Sequence, residues 1–269
     1  KSIINLHPCV MMSPSTAAQY LPKKTDIFDV LIIDEASQMK PEQAFSLIAR
    51  CKQMIIVGDQ KQLPPSSRFE KDYTSDEILE DDVDVEYSES ILELADKVIG
   101  SKNALSLGWH YRSRHTSLID FSNYYFYDNK LTVFASNDVG SQVVHKPVEN
   151  SQYRGGVNLP EVKAVMDALL EQIKSDKEKS IIIATMNQQQ ESEVTLALEA
   201  ELQNNKMLRD FDSKHQGNLD ELVVKKLEDI QGDERDVVII STVYGPDADG
   251  KITQMFGDIN RANGHRRLN

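Results

Sequence analysis

DVLIIDEASQMKPEQAFSLIARCKQMIIVGDQKQLPP, which spans residues 29–65, contains two short apolar runs that each end in a polar cluster. Runs such as 30–33 and 54–57, with no polar alternation, favour strands that are covered on both faces of a parallel sheet. The segment between them, 40–51, has a Pro near its start and an apolar face at helical spacing. The stretch therefore predicts a strand, a helix and a second strand, with a polar cluster at the end of each strand.

Asp34 and Glu35 follow the first apolar run directly. An Asp at a strand end suits Mg²⁺, which prefers one or two carboxylates together with phosphate oxygens and water. A neighbouring Glu suits the acceptance of a proton from an attacking water. The alternative for an isolated Asp-Glu pair is a solvated turn. A second polar cluster on a neighbouring strand favours chemistry, because ligands of doubly wound sheets bind at the carboxyl ends of the strands.

The two clusters resemble motifs of superfamily 1 helicases. DEASQ at 34–38 is similar to the Walker B motif, and GDQKQLPP at 58–65 is similar to motif III, Gly-Asp-x-x-Gln-Leu-x-Pro. The details resemble the branch that includes the RNA-surveillance helicase and many bacterial helicases. The resemblance implies an α/β fold with two tandem P-loop NTPase (RecA-like) domains, each a parallel sheet with flanking helices. We expect the later part of the first domain at 1–102 and most of the second at 103–269, with ATP in the cleft between them.

The resemblance also implies roles for residues of the first domain. Asp34 would bind Mg²⁺, Glu35 would activate water, and Gln62 would sense the γ-phosphate of ATP. Three hydroxyl residues fall where the family contacts a nucleic-acid backbone: Ser13, Ser15 and Thr16. The alternative for these hydroxyls is a helix N-cap, for which Ser and Thr are favoured. The residues alone do not separate these two interpretations.

An aromatic residue is followed directly by Arg in the string GWHYRSRH, residues 108–115, after a short strand predicted at 105–107. A ring can stack on a base, and a guanidinium can bind phosphate oxygens through two parallel hydrogen bonds. The family has a Tyr-Arg pair here, which implies that Tyr111 stacks on adenine and that Arg112 reaches the γ-phosphate. The alternative for Arg112 is an ion pair with a carboxylate of the acidic segment.

Two later strings resemble further motifs of the family. The apolar strand predicted at 180–185 ends in TMNQQQ, which is similar to motif IV and makes Thr185 and Asn187 candidates for contact with nucleic acid. LEDIQGDERD at 227–236 resembles motif V, and it assigns nucleotide contacts to Gln231, Gly232 and Glu234. A glycine here permits a positive φ or a close approach to a ligand. For the glycine alone, a simple turn is the alternative.

The composition is that of a globular protein, with 40% apolar and 27% charged residues in 269. No apolar run approaches the roughly 18 residues that span a bilayer, and the N-terminus has no long apolar core of a signal peptide. These features predict a soluble, cytoplasmic protein without a membrane partner. The two Cys and six His show no metal-ligand spacing.

The net charge of −13 is concentrated in one segment, because residues 70–96 hold twelve Asp or Glu against a single Lys. The acidity therefore does not exclude a partner such as single-stranded DNA or RNA elsewhere on the surface. Residues 70–90 are interpreted as an inserted solvated loop. A protein partner for this loop is the alternative.

The phosphate-binding string Gly-x-x-x-x-Gly-Lys-Ser/Thr does not occur in the sequence. RRLN at 266–269 resembles the opening of motif VI, whose arginine finger would follow Asn269. We expect the chain to be an inactive segment of a longer ATP-dependent helicase that uses ATP and Mg²⁺. The alternatives are a non-catalytic module that binds nucleic acid or protein, and an ATPase switch in a defence or repair assembly.

Overall fold

A computed structural model of the chain describes residues 7–65, 88–135, 140–252, 254–260 and 263–269. The chain divides into two compact units, the first comprising 1–139 with 268–269 and the second comprising 140–267.

The predicted division after residue 102 differs from these units and falls inside the first one. The segment that follows residue 102 belongs to the first unit because it packs there. The hydroxyl of Tyr127, for example, donates a hydrogen bond to the carboxylate of Asp59. Tyr111 and Arg112, which were expected in the second domain, are therefore residues of the first unit.

The first unit contains the predicted strand, helix and strand. Strand β1 (Phe28–Ile33) pairs in parallel with β2 (Cys51–Ile56). The connecting helix α2 (Pro41–Ile48) follows a shorter helix, α1 (Pro14–Tyr20). Helix α2 begins at Pro41 because a proline at the first position gives up no hydrogen bond. It buries Ala44 and Leu47.

The prediction that both faces of these strands are covered is wrong for the described residues. Val30 and Ile32 are 45% and 64% exposed, whereas Ile33 is buried with Ala44 and Ile91. The described part of this sheet has two strands, and its core side packs against α2 and helix α3 (Ile91–Ile99). One face of the pair is therefore accessible.

The rest of the first unit contains helix α4 (Asp120–Phe126) and a short parallel pair, β3 (Trp109–His110) with β4 (Thr132–Val133). The strand expected at 105–107 is not formed, and its two Leu side chains are 98% and 84% exposed. Pairing begins at Trp109, whose ring packs against Phe134 with 5.4 Å between centroids. The observed strand thus begins four residues after the predicted start.

The second unit has a parallel three-stranded sheet in the order β6-β5-β7. Its strands are β5 (Ile181–Thr185), β6 (Val223–Lys226) and β7 (Val237–Ser241). The central strand β5 is buried along its whole length, as its apolar sequence predicts. This unit and the first one agree with the predicted α/β class of parallel sheets and flanking helices.

Three helices cover the sheet of the second unit: α5 (Leu159–Ser175), α6 (Gln188–Asn204) and α7 (Lys206–His215). Helix α5 buries one apolar stripe in the core: Val162, Val165, Met166, Leu169 and Ile173. Each such side chain contributes about 1.5–3 kcal/mol when it leaves water. This stripe fixes the face of α5 that packs on the strands.

Most of the predicted acidic loop, up to residue 87, lies outside the described residues. In the part of the chain that the structure describes, no helix combines the length and the apolar character needed to cross a membrane.

Candidate nucleotide and nucleic-acid sites

The first polar cluster begins where β1 ends, and both of its carboxylates are exposed. Glu35 has the left-handed backbone, with φ +50° and ψ +41°, which is uncommon for a residue other than glycine. Its N–H donates to Asp34 Oδ1 at 3.0 Å, and its Oε2 accepts from Gln38 Nε2 at 3.5 Å. The strained backbone therefore ends the strand and leaves two adjacent carboxylates accessible, as a catalytic pair requires.

The two polar clusters are in contact through Gly58. Ala36 N donates to Val57 O at 2.9 Å, and Val57 N donates to Ile33 O at 2.8 Å. A Cβ atom built on Gly58 would lie 3.0 Å from Ser37 N and 3.1 Å from Ala36 N. A side chain at this position would therefore push against the backbone of the first cluster. The structure thus brings together the two clusters that the sequence placed on neighbouring strands.

Replacing Gly58 by Ala should lower the free energy of unfolding by about 1–3 kcal/mol, since the new methyl group would force the backbone at Ser37 and Ala36 to shift by a few tenths of an ångström. Urea denaturation of the variant measures this loss. Gly108→Ala is the matched control, because a Cβ there has no neighbour within 4 Å. Equal stability of the two variants would show that the contact at Gly58 is not tight.

The loop of the second cluster is held by side-chain hydrogen bonds in the first unit. Asp59 accepts from Lys61 N at 2.8 Å and from the Tyr127 hydroxyl at 2.5 Å. The same hydroxyl bonds to the side chain of Gln62 and accepts from Asn269 Nδ2 at 2.8 Å. Burial, followed by the Asp59 hydrogen bond, raises the pKa of Tyr127. The phenol therefore keeps its proton and fixes Gln62.

Sequence reasoning missed the contribution of Tyr127 to this loop. Its hydrogen-bond partner Asp59 lies 68 positions away along the chain, and a single sequence gives no signal for such a pair. Asn269 belongs to the string that resembles motif VI, and this resemblance was the one sequence signal for a contact with the loop of the second cluster.

Tyr111 and Arg112 are both exposed, and the Tyr111 ring is 80% accessible. The turn beside them is held by His110, whose Nε2 accepts from Ser113 N at 3.2 Å. Burial, and then the positive charge of Arg112, lowers the pKa of His110. A neutral imidazole can accept this hydrogen bond, so the turn is stable at neutral pH. The ring is thus presented for stacking, while the predicted contacts with ATP stay predictions.

The three hydroxyls near the N-terminus form a hydrogen-bonded group. Ser13 Oγ accepts from Thr16 N at 3.2 Å and caps α1. It also lies 3.0 Å from Ser15 Oγ and 2.8 Å from Thr16 Oγ1. The N-cap interpretation is confirmed for Ser13. The predicted phosphate contacts of these hydroxyls stay predictions.

In the second unit, the loops after β5, β6 and β7 start at the same edge of the sheet, because Thr185 pairs with both Lys226 and Ser241. Thr185 itself is fully buried, and its hydroxyl donates to Asn187 O at 3.2 Å. The hydroxyl therefore holds the start of the loop, and the predicted contact of Thr185 with nucleic acid stays a prediction. Asn187 is half-buried and caps α6 by accepting from Gln190 N at 2.8 Å.

The string that resembles motif V forms a short 3₁₀ turn, Leu227–Asp229, followed by a bend. Gly232 has φ +87°, so the positive φ predicted from its sequence is confirmed. Lys225 pairs with Asp233 at 2.8 Å across this bend. Gln231 is half-buried, and Gly232 and Glu234 are exposed. Their nucleotide contacts stay predictions.

A nearly buried ion pair joins the strings that resemble motifs V and VI. The Arg267 side chain is 5% exposed and pairs with Glu228, which is 21% exposed. Arg267 Nη2 also donates to Met186 O at 3.2 Å, just after β5. The guanidinium therefore connects three of the loops that carry the motifs. Sequence reasoning did not identify this pair, although opposite charges occur in both strings.

A buried polar network lies beneath the same edge, and its members Asn158, Gln190 and Ser241 are fully buried. Asn158 N donates to Gln190 Oε1 at 2.9 Å, and Gln190 Nε2 donates to Ser241 Oγ at 3.0 Å. Asn158 Nδ2 donates to the carbonyl of Val243 at 3.2 Å. Val243 has φ +64°, which is an outlier for a β-branched residue. The network thus holds a strained turn directly after β7.

Replacing Asn158 by Ala should lower the free energy of unfolding by about 2 kcal/mol, since it removes an N-cap and leaves buried polar groups without partners. Thermal or urea unfolding of the variant gives the value. Asn204→Ala, which removes one exposed hydrogen bond to Ala200 O, is the control. A loss no greater than that of the control would contradict the role of the network.

The donor set in the first unit fits a Mg²⁺ ion that is shared with phosphates. Asp34 and Glu35 offer exposed carboxylate oxygens, which are the ligands of a hard cation. Among the described residues, no group of three or more His, Cys, Asp or Glu side chains forms a metal site on its own. The ion would therefore need oxygen atoms from a nucleotide and from water.

Comparisons with known proteins agree with these features. Two family models, each described as an AAA domain, match residues 1–67 and 140–265. An uncharacterized ATP-dependent helicase of Mycoplasma genitalium is 32% identical over 275 aligned residues, which cover 98% of this chain and 24% of the relative. Its homolog in Mycoplasma pneumoniae is 33% identical with the same coverage. The probable helicase senataxin of Mus musculus is 27% identical, over 84% of this chain and 8% of its own length.

This chain spans about a quarter of the length of the two mycoplasma relatives. The second AAA match begins at residue 140, where the second compact unit also begins. Parallel α/β units, two AAA domains and similarity to ATP-dependent helicases show that the chain belongs to the superfamily 1 helicase-related P-loop NTPases.

Proposed function

We propose that this chain forms part of a nucleic-acid-dependent ATPase that moves along single-stranded DNA or RNA. The observation that carries the proposal is the contact at Gly58, which packs the Asp34 and Glu35 cluster against the loop of Gln62. A carboxylate pair and an amide on one rigid surface provide groups for a metal, a water and a phosphate. A module that only binds has no chemical need for this set.

The proposed roles are those that the family resemblance implies, and the exposure and hydrogen bonds of these residues in the first unit support them. Asp34 would hold Mg²⁺ through its exposed carboxylate, and the bound ion would neutralise negative charge on the phosphates. Glu35 would accept the proton of the attacking water. Gln62, held by Tyr127, would contact the γ-phosphate, and the exposed Arg112 would supply positive charge to it.

In the second unit, the bend after β6 would contact the nucleotide, and the loop after β5 would contact the nucleic-acid strand. The residues proposed to contact the nucleotide are Gln231, Gly232 and Glu234. Tyr111 of the first unit is proposed to stack on its base. Contacts with the backbone of the nucleic-acid strand are proposed for Asn187, Ser13, Ser15 and Thr16. DNA and RNA are equally consistent with backbone contacts of this kind.

The test is ATP hydrolysis by the full-length protein that contains this chain, with and without single-stranded DNA or RNA. We expect hydrolysis that depends on Mg²⁺ and is stimulated by the strand. Binding of nucleic acid without any hydrolysis of ATP would overturn the proposal and favour a binding module. A strand-displacement assay then separates a helicase from an ATPase switch, since a switch would hydrolyse ATP without unwinding a duplex.

A further inference from the structure

An open cleft of about 330 Å³ lies at the carboxyl edge of the sheet in the second unit. Its wall is formed by Tyr153 and Tyr244, and its rim by Asn187, Gln189 and Gly156. The carboxyl edge is where ligands of parallel α/β sheets bind. The two tyrosines were not among the residues that the sequence marked for function.

The two tyrosines of the wall pack against each other, and Tyr244 also packs against Phe256, which does not line the cleft. The centroids of Tyr153 and Tyr244 are 5.7 Å apart, and those of Tyr244 and Phe256 are 5.3 Å apart with an angle of 82° between the rings. Both tyrosines are half-buried, so each ring is supported on one side and accessible on another. Supported rings of this kind provide a stacking surface at little cost in side-chain entropy.

The position of Tyr244 is set by the backbone before it and by close packing around it. Tyr244 N donates to Thr242 O at 2.7 Å, which closes a tight turn around the strained Val243. Glu161 Oε1 accepts from Thr242 N at 2.7 Å and holds the same turn. A Cβ atom on Gly257 would lie only 2.8 Å from the Tyr244 hydroxyl. The ring is thus placed in advance of any ligand.

The charge of the cleft favours a neutral ring as its ligand over a phosphate. Arg267 is the one charged side chain among the described residues that line it. The Arg267 side chain is 5% exposed and paired with Glu228, so its charge is largely compensated. Gln189 adds an exposed amide at the rim, which can donate to or accept from the edge of a base. Stacked rings with an amide and little net charge suit a nucleobase.

We propose that this cleft binds a single nucleobase of a nucleic-acid strand, stacked against Tyr153 and Tyr244. The inference rests on the proposed function, since it gives the strand a base contact in the second unit. The same chemistry would accept the base of a free nucleotide. The strand is favoured because the exposed ring of Tyr111, in the first unit, is the proposed platform for the base of ATP.

The experiment measures binding of the 269-residue chain to a short single-stranded oligothymidylate that carries one 2-aminopurine. Stacking of this base on an aromatic ring quenches its fluorescence. We expect quenching with the wild-type chain, and an affinity about 5-fold to 100-fold lower for Tyr153→Leu or Tyr244→Leu. An oligonucleotide with an abasic site in place of 2-aminopurine should bind the wild type correspondingly more weakly in competition.

Three controls separate stacking from folding. Tyr153→Phe keeps the ring and should keep the quenching. Tyr125→Leu, which changes a ring that is 67% exposed in α4, should bind like the wild type. Circular dichroism and thermal unfolding should show that each Leu variant is folded. In a parallel arm, 2-aminopurine riboside triphosphate with Mg²⁺ replaces the oligonucleotide.

Binding by the wild type that neither Leu variant changes would overturn the cleft as a base site and leave the proposed function intact. If the Leu variants bind the free nucleotide more weakly but bind the oligonucleotide like the wild type, the cleft would not be a site for a base of a nucleic-acid strand. A wild-type chain that binds neither probe would overturn the cleft proposal. If the full-length protein then shows ATP hydrolysis that is stimulated by single-stranded nucleic acid, the proposed function survives this failure. If it shows no such stimulation, the cleft proposal and the proposed function both fail.

Discussion

Replacing Glu35 by Gln in the full-length protein should lower the rate constant of ATP hydrolysis about 10²-fold to 10⁴-fold, because an amide cannot accept a proton from the attacking water. Gln has the same size as Glu and keeps the hydrogen-bonding side chain next to Gln38. It therefore fits the same left-handed backbone without new strain. Binding of ATP and of single strands should persist, so the loss should appear in kcat and not in KM.

Single-turnover hydrolysis measures the chemical step, and a fluorescent ATP analogue measures binding in the same samples. Glu42→Gln is a matched control, since Glu42 is an exposed carboxylate in the first turn of α2. It should hydrolyse ATP at the wild-type rate. Hydrolysis by Glu35→Gln at that rate would exclude Glu35 as the base. An equal loss in both variants would indicate a nonspecific effect of charge.

Replacing Glu228 by Ala should lower the free energy of unfolding by about 3 kcal/mol. The reason is that the guanidinium of Arg267, with its side chain 5% exposed, would lose the carboxylate that compensates its charge. Removal of one partner from a buried ion pair is costly because the remaining charge is held away from water. Chemical denaturation of the chain, followed by circular dichroism, measures this change.

The exposed pair of Lys146 and Glu171 provides the control, since its side chains are 55% and 71% accessible. Lys146→Ala should cost only about 0–1 kcal/mol. The double variant Glu228→Leu with Arg267→Met should be less destabilised than Glu228→Ala, because no buried charge remains. If Glu228→Ala costs no more than Lys146→Ala, the pair is not buried in solution.

Local sequence patterns were sufficient to predict the strands that carry the motifs. The apolar runs before Asp34 and Gly58 gave two neighbouring parallel strands, and the run before Thr185 gave a central buried strand. Their polar ends lie at the carboxyl edges as predicted, since strand direction fixes which end of a run faces the loop. The strand expected at 105–107 was wrong because an apolar alternation of three residues is too short to specify a strand, and both Leu side chains remain exposed.

The contacts that hold the sites could not be predicted from one sequence. Asn158 and Gln190 are 32 positions apart, and Glu161 and Thr242 are 81 apart, so no local period relates them. The positive φ of Val243 opposes its own preference and exists only because the surrounding hydrogen bonds impose it. Such features depend on the finished three-dimensional arrangement. The cleft beside Tyr244 escaped prediction for the same reason.

The close approach at Gly58 also determines how the two loops can move. Because a Cβ there would meet Ser37 N and Ala36 N at 3.0 and 3.1 Å, no free space separates the two polar clusters. Close-packed atoms transmit a displacement instead of absorbing it. A shift of a few tenths of an ångström at Asp34 and Glu35, when a phosphate leaves, would therefore displace the loop of Gln62 as well. The absence of a side chain at Gly58 thus couples the positions of the two loops, so that one cannot shift far without the other.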